Sequence, residues 1–184
     1  FSVTGKLFQP DLIWTKSRSA AKSHAITDSQ FGTGKYWSSD GTAAYVSDAQ
    51  AVTAFNSDGF SGGTAAIINT SAESLVDWLF KESVTAGIDL VKFSGNSTNR
   101  TIAHSLGVAP SMLIVKRDGA NAAAIWHTGI GSAANYLSLN SIAASAADAG
   151  AFNSTAPTSS VFSVGTNNNT NATGTNNMLA MLFA

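Results

Sequence analysis

Apolar residues in this chain come in short runs, and most of the runs are too brief to form the face of a helix. Leu12-Ile13-Trp14 and Met112-Leu113-Ile114-Val115 are continuous and rich in bulky side chains, the pattern of strands buried on both faces. Each closely follows a proline, Pro10 or Pro110. Proline suits the start of a strand because its missing N–H costs no ladder bond there. Both runs end at a lysine, Lys16 or Lys116, ahead of the turn formers Ser17-Arg18-Ser19 and Arg117-Asp118-Gly119-Ala120-Asn121. Residues 88–93 alternate apolar and polar at period two and predict a strand with one covered face. Further short strands are predicted near 24–28, 35–39, 52–55, 60–61, 124–128, 135–139 and 161–164. Asn56-Ser57-Asp58-Gly59 supplies a strong turn signal after the run at 52–55. The runs at 75–80 and 178–183 are continuous, which predicts central strands.

Helical signals are thin. Neither the Ala-rich stretch 141–149 nor the Ser-Ala-Glu-Ser start at 71–74 carries apolar residues at i, i+3, i+4 and i+7 beyond one turn. The pattern allows one short helix, near 142–149. Residues 166–177, with six Asn and four Thr, read as a polar loop.

The same order of elements occurs twice. Residues 10–81 and 110–184 align at an offset of about 100. Pro10 and Lys16 match Pro110 and Lys116; Tyr36, Ser38, Ala43 and Ala44 match Tyr136, Ser138, Ala143 and Ala144; Phe60 matches Phe162. Many short strands with regular turns imply an all-β chain. The expected architecture is two tandem, internally duplicated β-sandwich modules of jelly-roll or lectin-like type, packed together, over residues 1–85 and 86–184. The strand at 88–93 opens the second copy, and its first-copy counterpart is only the stub Phe1-Ser2-Val3-Thr4-Gly5. The first module is therefore expected to begin part-way through. The absence of an initiator Met fits a processed or excised segment.

Composition narrows the class. Apolar residues make up 44% of the 184, enough for a real core, whereas charged residues make up only 11%, under half the usual share. Ser, Thr, Asn, Ala and Gly fill the surface instead, which suits extracellular or particle-bound proteins in dense arrays. The net charge is −1 and the Lys and Arg residues are scattered, so no basic stripe marks a nucleic-acid partner. No apolar run approaches the length of a membrane-spanning helix. With no cysteine, disulfides, thiolate catalysis and Cys-ligated zinc are excluded together.

Candidate chemistry is sparse. His24, His104 and His127 accompany many serines, but no Gly-x-Ser-x-Gly elbow is present. Glu73 and Glu82 are the only glutamates, and the aspartates sit mostly beside Gly or Ser in turns, so no carboxylate pair suggests glycoside hydrolysis. The dispersed histidines lack zinc-site spacing and no Asp-x-Asp-x-Asp loop occurs. Calcium held by loop carbonyls is left open. No catalytic residue, metal or cofactor is therefore expected. Tyr36, Trp37, Trp126 and Tyr136 fall in equivalent strands of the two copies, and His127 adjoins Trp126. These five are the candidate contacts for a sugar, whose C–H face suits an aromatic surface; for Trp37 and Trp126 core or interface packing is the favoured role. Several Asn-x-Ser/Thr triplets occur at the frequency such a composition produces by chance.

Leu7-Phe8-Gln9-Pro10-Asp11-Leu12-Ile13-Trp14-Thr15-Lys16-Ser17-Arg18-Ser19 resembles a repeated domain of uncharacterised function. That domain is common in phage tail-fibre-like and other virion proteins, especially from marine and cyanobacterial phages. His104-Ser105-Leu106-Gly107-Val108-Ala109-Pro110 and Phe152-Asn153-Ser154-Thr155-Ala156-Pro157 carry the same resemblance. It departs from the family in the closing strands, where an aromatic-Cys pair is common and Asp77-Trp78-Leu79 and Ala180-Met181-Leu182 stand here. The resemblance implies a non-enzymatic virion protein at the surface of an extracellular particle, serving as an appendage or tail-fibre module. Its implied partners are other virion proteins and copies of itself, as a trimer if a fibre, with host surface polysaccharide as a further ligand. A capsid decoration protein is the alternative, and a polysaccharide depolymerase a remote third.

Overall fold

A computed structural model describes residues 1–174 and 177–184; residues 175 and 176, part of the expected polar loop, lie outside the described residues. The chain is all-β, built from antiparallel sheets, and forms two compact units. Unit 1 is Phe1–Asp40 with Tyr45–Glu82, and unit 2 is Gly41–Ala44 with Ser83–Ala184. The short segment Gly41–Ala44 thus belongs to unit 2 although its chain neighbours on both sides belong to unit 1.

Unit 1 holds strands β1 (Ser2–Val3), β2 (Leu12–Ser17), β3 (Ala25–Asp28), β4 (Lys35–Tyr36), β5 (Val46–Ser47), β6 (Val52–Asn56), β7 (Gly59–Gly62) and β8 (Leu75–Phe80). They form the sheets β1-β7-β6, β3-β2-β8 and β4-β5. The Asn56-Ser57-Asp58-Gly59 signal makes the β6–β7 hairpin, in which Asn56 pairs with Gly59. Glycine is required there: φ is 152° and an added Cβ would lie 1.9 Å from the Val3 carbonyl oxygen. Ile13, Val52 and Phe60 form one apolar cluster with Val3, Phe55 and Leu79 against it; Ala25, Ala51, Ala65 and Ile68 form another.

Unit 2 holds β9 (Ile88–Ser94), β10 (Arg100–Ala103), β11 (Met112–Arg117), β12 (Ala124–His127), β13 (Asn135–Ser138), β14 (Ala146–Ala147), helix α1 (Ala149–Phe152), β15 (Val161–Val164), helix α2 (Asn168–Asn171) and β16 (Asn177–Phe183). Six strands make one sheet, β14-β13-β12-β11-β16-β9, and β10 pairs with β15. Alternate residues of three strands, Leu113 and Val115, Ala124 and Trp126, and Met178, Ala180 and Leu182, share a core with Phe152, Phe162 and Val164. That is the period-two geometry of a covered sheet face.

Several strand registers of unit 1 recur in unit 2. In β2–β8 Trp14 opposes Trp78, and in β11–β16 Ile114 opposes Met181. Leu12 opposes Asp28 as Met112 opposes His127. Tyr36 opposes Val46 as Tyr136 opposes Ala146, and Val3 opposes Phe60 as Ile102 opposes Phe162. The turns agree as well. Asp48 Oδ1 accepts from the Gln50 N–H, and Asp148 Oδ1 accepts from the Gly150 N–H.

Three expectations need correction. First, β16 is central but β8 lies at the edge of its sheet. The side chains show why: β16 is apolar almost throughout and buried, whereas β8 carries Asp77 and leaves Trp78 46% exposed. Second, the Ala-rich stretch yields no helix over 142–149. Its residues 146–147 pair as β14, and helix begins only where Asp148 caps it; alanine propensity is a weak prior beside strand pairing. Third, the N-terminal stub is the counterpart of β10 rather than β9, since β1 pairs with β7 as β10 pairs with β15.

Asp77 accepts a 2.6 Å hydrogen bond from the Thr15 hydroxyl, while burial pushes its carboxyl above the ordinary value of 3.8, Thr15 and Lys6 opposing. A raised carboxyl pKa means the folded chain holds the proton to higher pH than the unfolded one, so Asp77 lowers stability as pH rises above about 4. Asp77→Asn, which keeps an acceptor for Thr15, is expected to stabilise the chain by about 1 kcal/mol or less at pH 7 and by nothing at pH 3. Urea unfolding at the two pH values checks this; equal effects at both would refute it.

Candidate functional site

The exit of β12 borders a concave surface. His127 ends the strand and caps a single 3-10 turn, Thr128–Ile130, by accepting the Gly129 N–H on Nδ1 at 2.9 Å. That bond assigns the ring proton to Nε2. Gly131 closes the turn at φ 84°, a left-handed conformation that favours glycine. Trp126, His127, Thr128, Gly131, Ser132, Ala133 and Ala156 line a cleft of about 300 Å³. Trp126 is only 5% exposed, and its Nε1–H has no hydrogen-bond partner among the described residues.

The side chains that line the cleft with groups able to form hydrogen bonds are the His127 ring and the hydroxyls of Thr128 and Ser132, whereas the Trp126 Nε1 is buried. Among the described residues that line the cleft there is no carboxylate. Among the described residues no group of three or more His, Asp or Glu side chains is placed to hold a metal.

The corresponding place in unit 1 carries different side chains. Asp28, buried, stands where His127 stands, accepting the Phe31 N–H at 2.8 Å and the Tyr45 hydroxyl at 2.9 Å. Tyr45 lies against Phe31 with ring centroids 4.5 Å apart. By the shared register of Tyr36 and Tyr136, residue 145 takes the place of Tyr45, and it is a serine.

Of the five sequence candidates, the structure brings only Trp126 and His127 together. Tyr136, on neighbouring β13, packs against the unit 2 core. Tyr36 packs on the alanine-rich cluster of unit 1, and burial, with the Asp48 charge adding to it, pushes its phenol above 10.0. Trp37 is 1% exposed, 6.4 Å from the Tyr45 ring. Trp37 and Trp126 are both core side chains, so neither presents a ring face on which a sugar can stack; Trp126 lines the cleft with only the little surface it leaves exposed. The sequence reading missed Thr128, Gly131, Ser132, Ala133 and Ala156, for which the glycines at 129 and 131 were the one available signal.

The family model that fits this chain spans residues 1–184 and is described as Domain of unknown function (DUF7483). The chain belongs to that family. No curated protein and no solved structure matches it. The DUF7483 match covers both units.

His127→Ala removes the cap of an exposed turn and leaves the core untouched. It is expected to lower stability by about 1 kcal/mol or less, whereas Trp126→Ala should cost about 3–5 kcal/mol by opening the core. Thermal unfolding of the two variants checks the contrast, and similar losses would refute it.

Proposed function

We propose that this chain is a non-enzymatic structural protein of a phage virion, an appendage or tail-fibre module. In this reading it is built from two tandem, internally duplicated β-sandwich modules of jelly-roll or lectin-like type, residues 1–85 and 86–184. The observation that carries it is the recurrence of strand registers from one unit to the other. Repetition of that kind serves assembly and extension, since each module reproduces the same scaffold whatever its surface residues. The low charge supports packing in dense arrays, and the resemblance of the Leu7–Ser19 stretch to virion domains supplies the setting. Its partners are other virion proteins and further copies of itself, as a trimer in a fibre.

The cleft beside Trp126 and His127 is the proposed contact for a host surface glycan, recognised through hydroxyl hydrogen bonds to its polar rim rather than by ring stacking. Unit 1, with Asp28 and Tyr45 in the equivalent place, contributes scaffold. Labelling intact particles from a producing culture with an antibody raised against this chain tests the reading. Label on an appendage is the expected result; label spread over the capsid would replace it with a decoration role, and unlabelled particles would overturn it.

A further inference from the structure

Unit 2 shows what covers the outer side of its closing strand. β9 pairs with β16 along seven residues, from Ser94 opposite Asn177 to Ile88 opposite Phe183. After β9 the chain bends at Gly95-Asn96 and lies on Asn171. The Asn96 N–H donates to Asn171 Oδ1 at 3.0 Å, the Ser97 N–H donates to the Asn171 carbonyl at 2.7 Å, and Asn171 Nδ2 donates to the Thr98 carbonyl at 2.7 Å. The bend demands glycine, because a Cβ on Gly95 would lie 1.8 Å from the Ala172 carbonyl oxygen.

Unit 1 has the same receptor without the cover. β8 stands in the place of β16, and among the described residues its one strand neighbour is β2. Asn69 stands in the place of Asn171: its Nδ2 donates to the Gly63 carbonyl at 2.7 Å, as Asn171 Nδ2 donates to the Gly165 carbonyl at 2.7 Å. Yet Asn69 is exposed, and its side-chain oxygen has no partner among the described residues, whereas Asn171 is buried. Trp78 is 46% exposed where its counterpart Met181 is 2% exposed. Among the described residues of unit 1, two separate features, a strand edge and an asparagine, thus stand without the segment that covers their counterparts in unit 2.

We infer that the β8 edge together with Asn69 is a strand-acceptor site. Its occupant is an extended segment of another polypeptide chain with the β9 pattern, apolar residues alternating into a Ser-Gly-Asn bend. Main-chain bonds to an exposed edge provide affinity, and the side-chain pattern and bend provide selectivity. The β16 register carried over to β8 sets Leu90 of such a segment opposite Trp78, Val91 opposite Asp77 and Lys92 opposite Val76. Lys92 then lies diagonal to Trp78 on one face, within reach of its ring. The inference rests on the two-module reading, because that reading makes β8 and Asn69 the counterparts of β16 and Asn171.

The test is amide hydrogen exchange of the full chain with and without a synthetic peptide of residues 86–98. The expected result is slowing of exchange by about tenfold or more across 75–79 and at Asn69, saturating with peptide concentration. A peptide carrying Gly95→Val should bind about tenfold or more weakly, and Asn69→Ala in the protein should weaken binding by about fivefold. No slowing at millimolar peptide, an equal response to a scrambled peptide, or slowing at 177–183 in place of 75–79 would each overturn the inference. The peptide-free exchange map reads the underlying module pattern separately. Matching protection of 12–17 with 112–117 and of 25–28 with 124–127 upholds the modules even where the peptide has no effect. Unlike protection of these pairs would remove the modules themselves.

Discussion

Replacing Asn171 with alanine is expected to destabilise the chain by about 3–5 kcal/mol. Asn171 is fully buried. Its Oδ1 accepts from the Asn96 N–H and from Arg100 Nη2 at 3.1 Å, and its Nδ2 donates toward the carbonyls of Thr98 and Gly165, both at 2.7 Å. Alanine would leave those groups without partners inside a packed region, where an unmet buried polar group costs about 1–3 kcal/mol. Asn69→Ala, at the matching but exposed position, is expected to cost under about 1 kcal/mol. Urea unfolding of both variants measures the contrast. Equal losses would show that the polar tract holding Asn171 does not organise unit 2.

The second large effect is expected at Lys116. This lysine is 0% exposed, and its Nζ donates to three backbone carbonyls: Ala43 at 3.0 Å, Gly119 at 3.1 Å and Asn121 at 3.0 Å. It is the fastening by which the segment Gly41–Ala44 is held in unit 2. Lys116→Met would fill the space of the stem and leave three carbonyls without a donor, costing about 2–4 kcal/mol. Lys16 in unit 1 is only half-buried and donates to the Ser17 carbonyl, so Lys16→Met is expected to cost about 1 kcal/mol or less.

Burial pushes the Lys116 ammonium down to about 8, the Arg117 charge adding to the shift and Asp118 opposing it. Between that value and 10.5 the unfolded chain holds a proton the folded chain has released. Stability contributed by this group therefore rises with pH across that window. The stability gap between the parent chain and Lys116→Met should widen from pH 7.5 to pH 10, as urea unfolding at the two values would show. A gap that narrows would mean the three carbonyls hold the ammonium charged to higher pH.

Much of this fold was legible in residue order because strands announce themselves by period and punctuation. Pro10 and Pro110 before branched runs marked β2 and β11, alternation marked β9, and Asn56-Ser57-Asp58-Gly59 marked the β6–β7 hairpin. Features that depend on distant partners were not legible. Whether Leu75-Val76-Asp77-Trp78-Leu79-Phe80 is central or marginal depends on a neighbouring strand, about which its own letters say little. Lys116 looks like any lysine at a strand end, and its burial depends on the carbonyl of Ala43, far away in sequence. Asn171 sat inside a stretch that read as an undistinguished polar loop, yet its partners at 96–100 make it a hub.

The candidate site was half legible. Adjacent residues on a strand point to opposite sides, so Trp126 enters the core while His127 stays exposed, and both line the cleft. The places of like register in the two units differ in side chains, Asp28 and Tyr45 in one against His127 and Ser145 in the other. Neither copy viewed alone reveals that difference.

The central claim is that one module occurs twice with the same strand register, and cross-strand contacts measured by NMR on the isotopically labelled full chain test it most directly. The account predicts directly opposed pairs Trp14 with Trp78 and Ile114 with Met181, together with Leu12 with Asp28 and Met112 with His127. A β2–β8 register shifted by even one residue from that of β11–β16 would turn opposite side chains inward in the two units, and would contradict the claim.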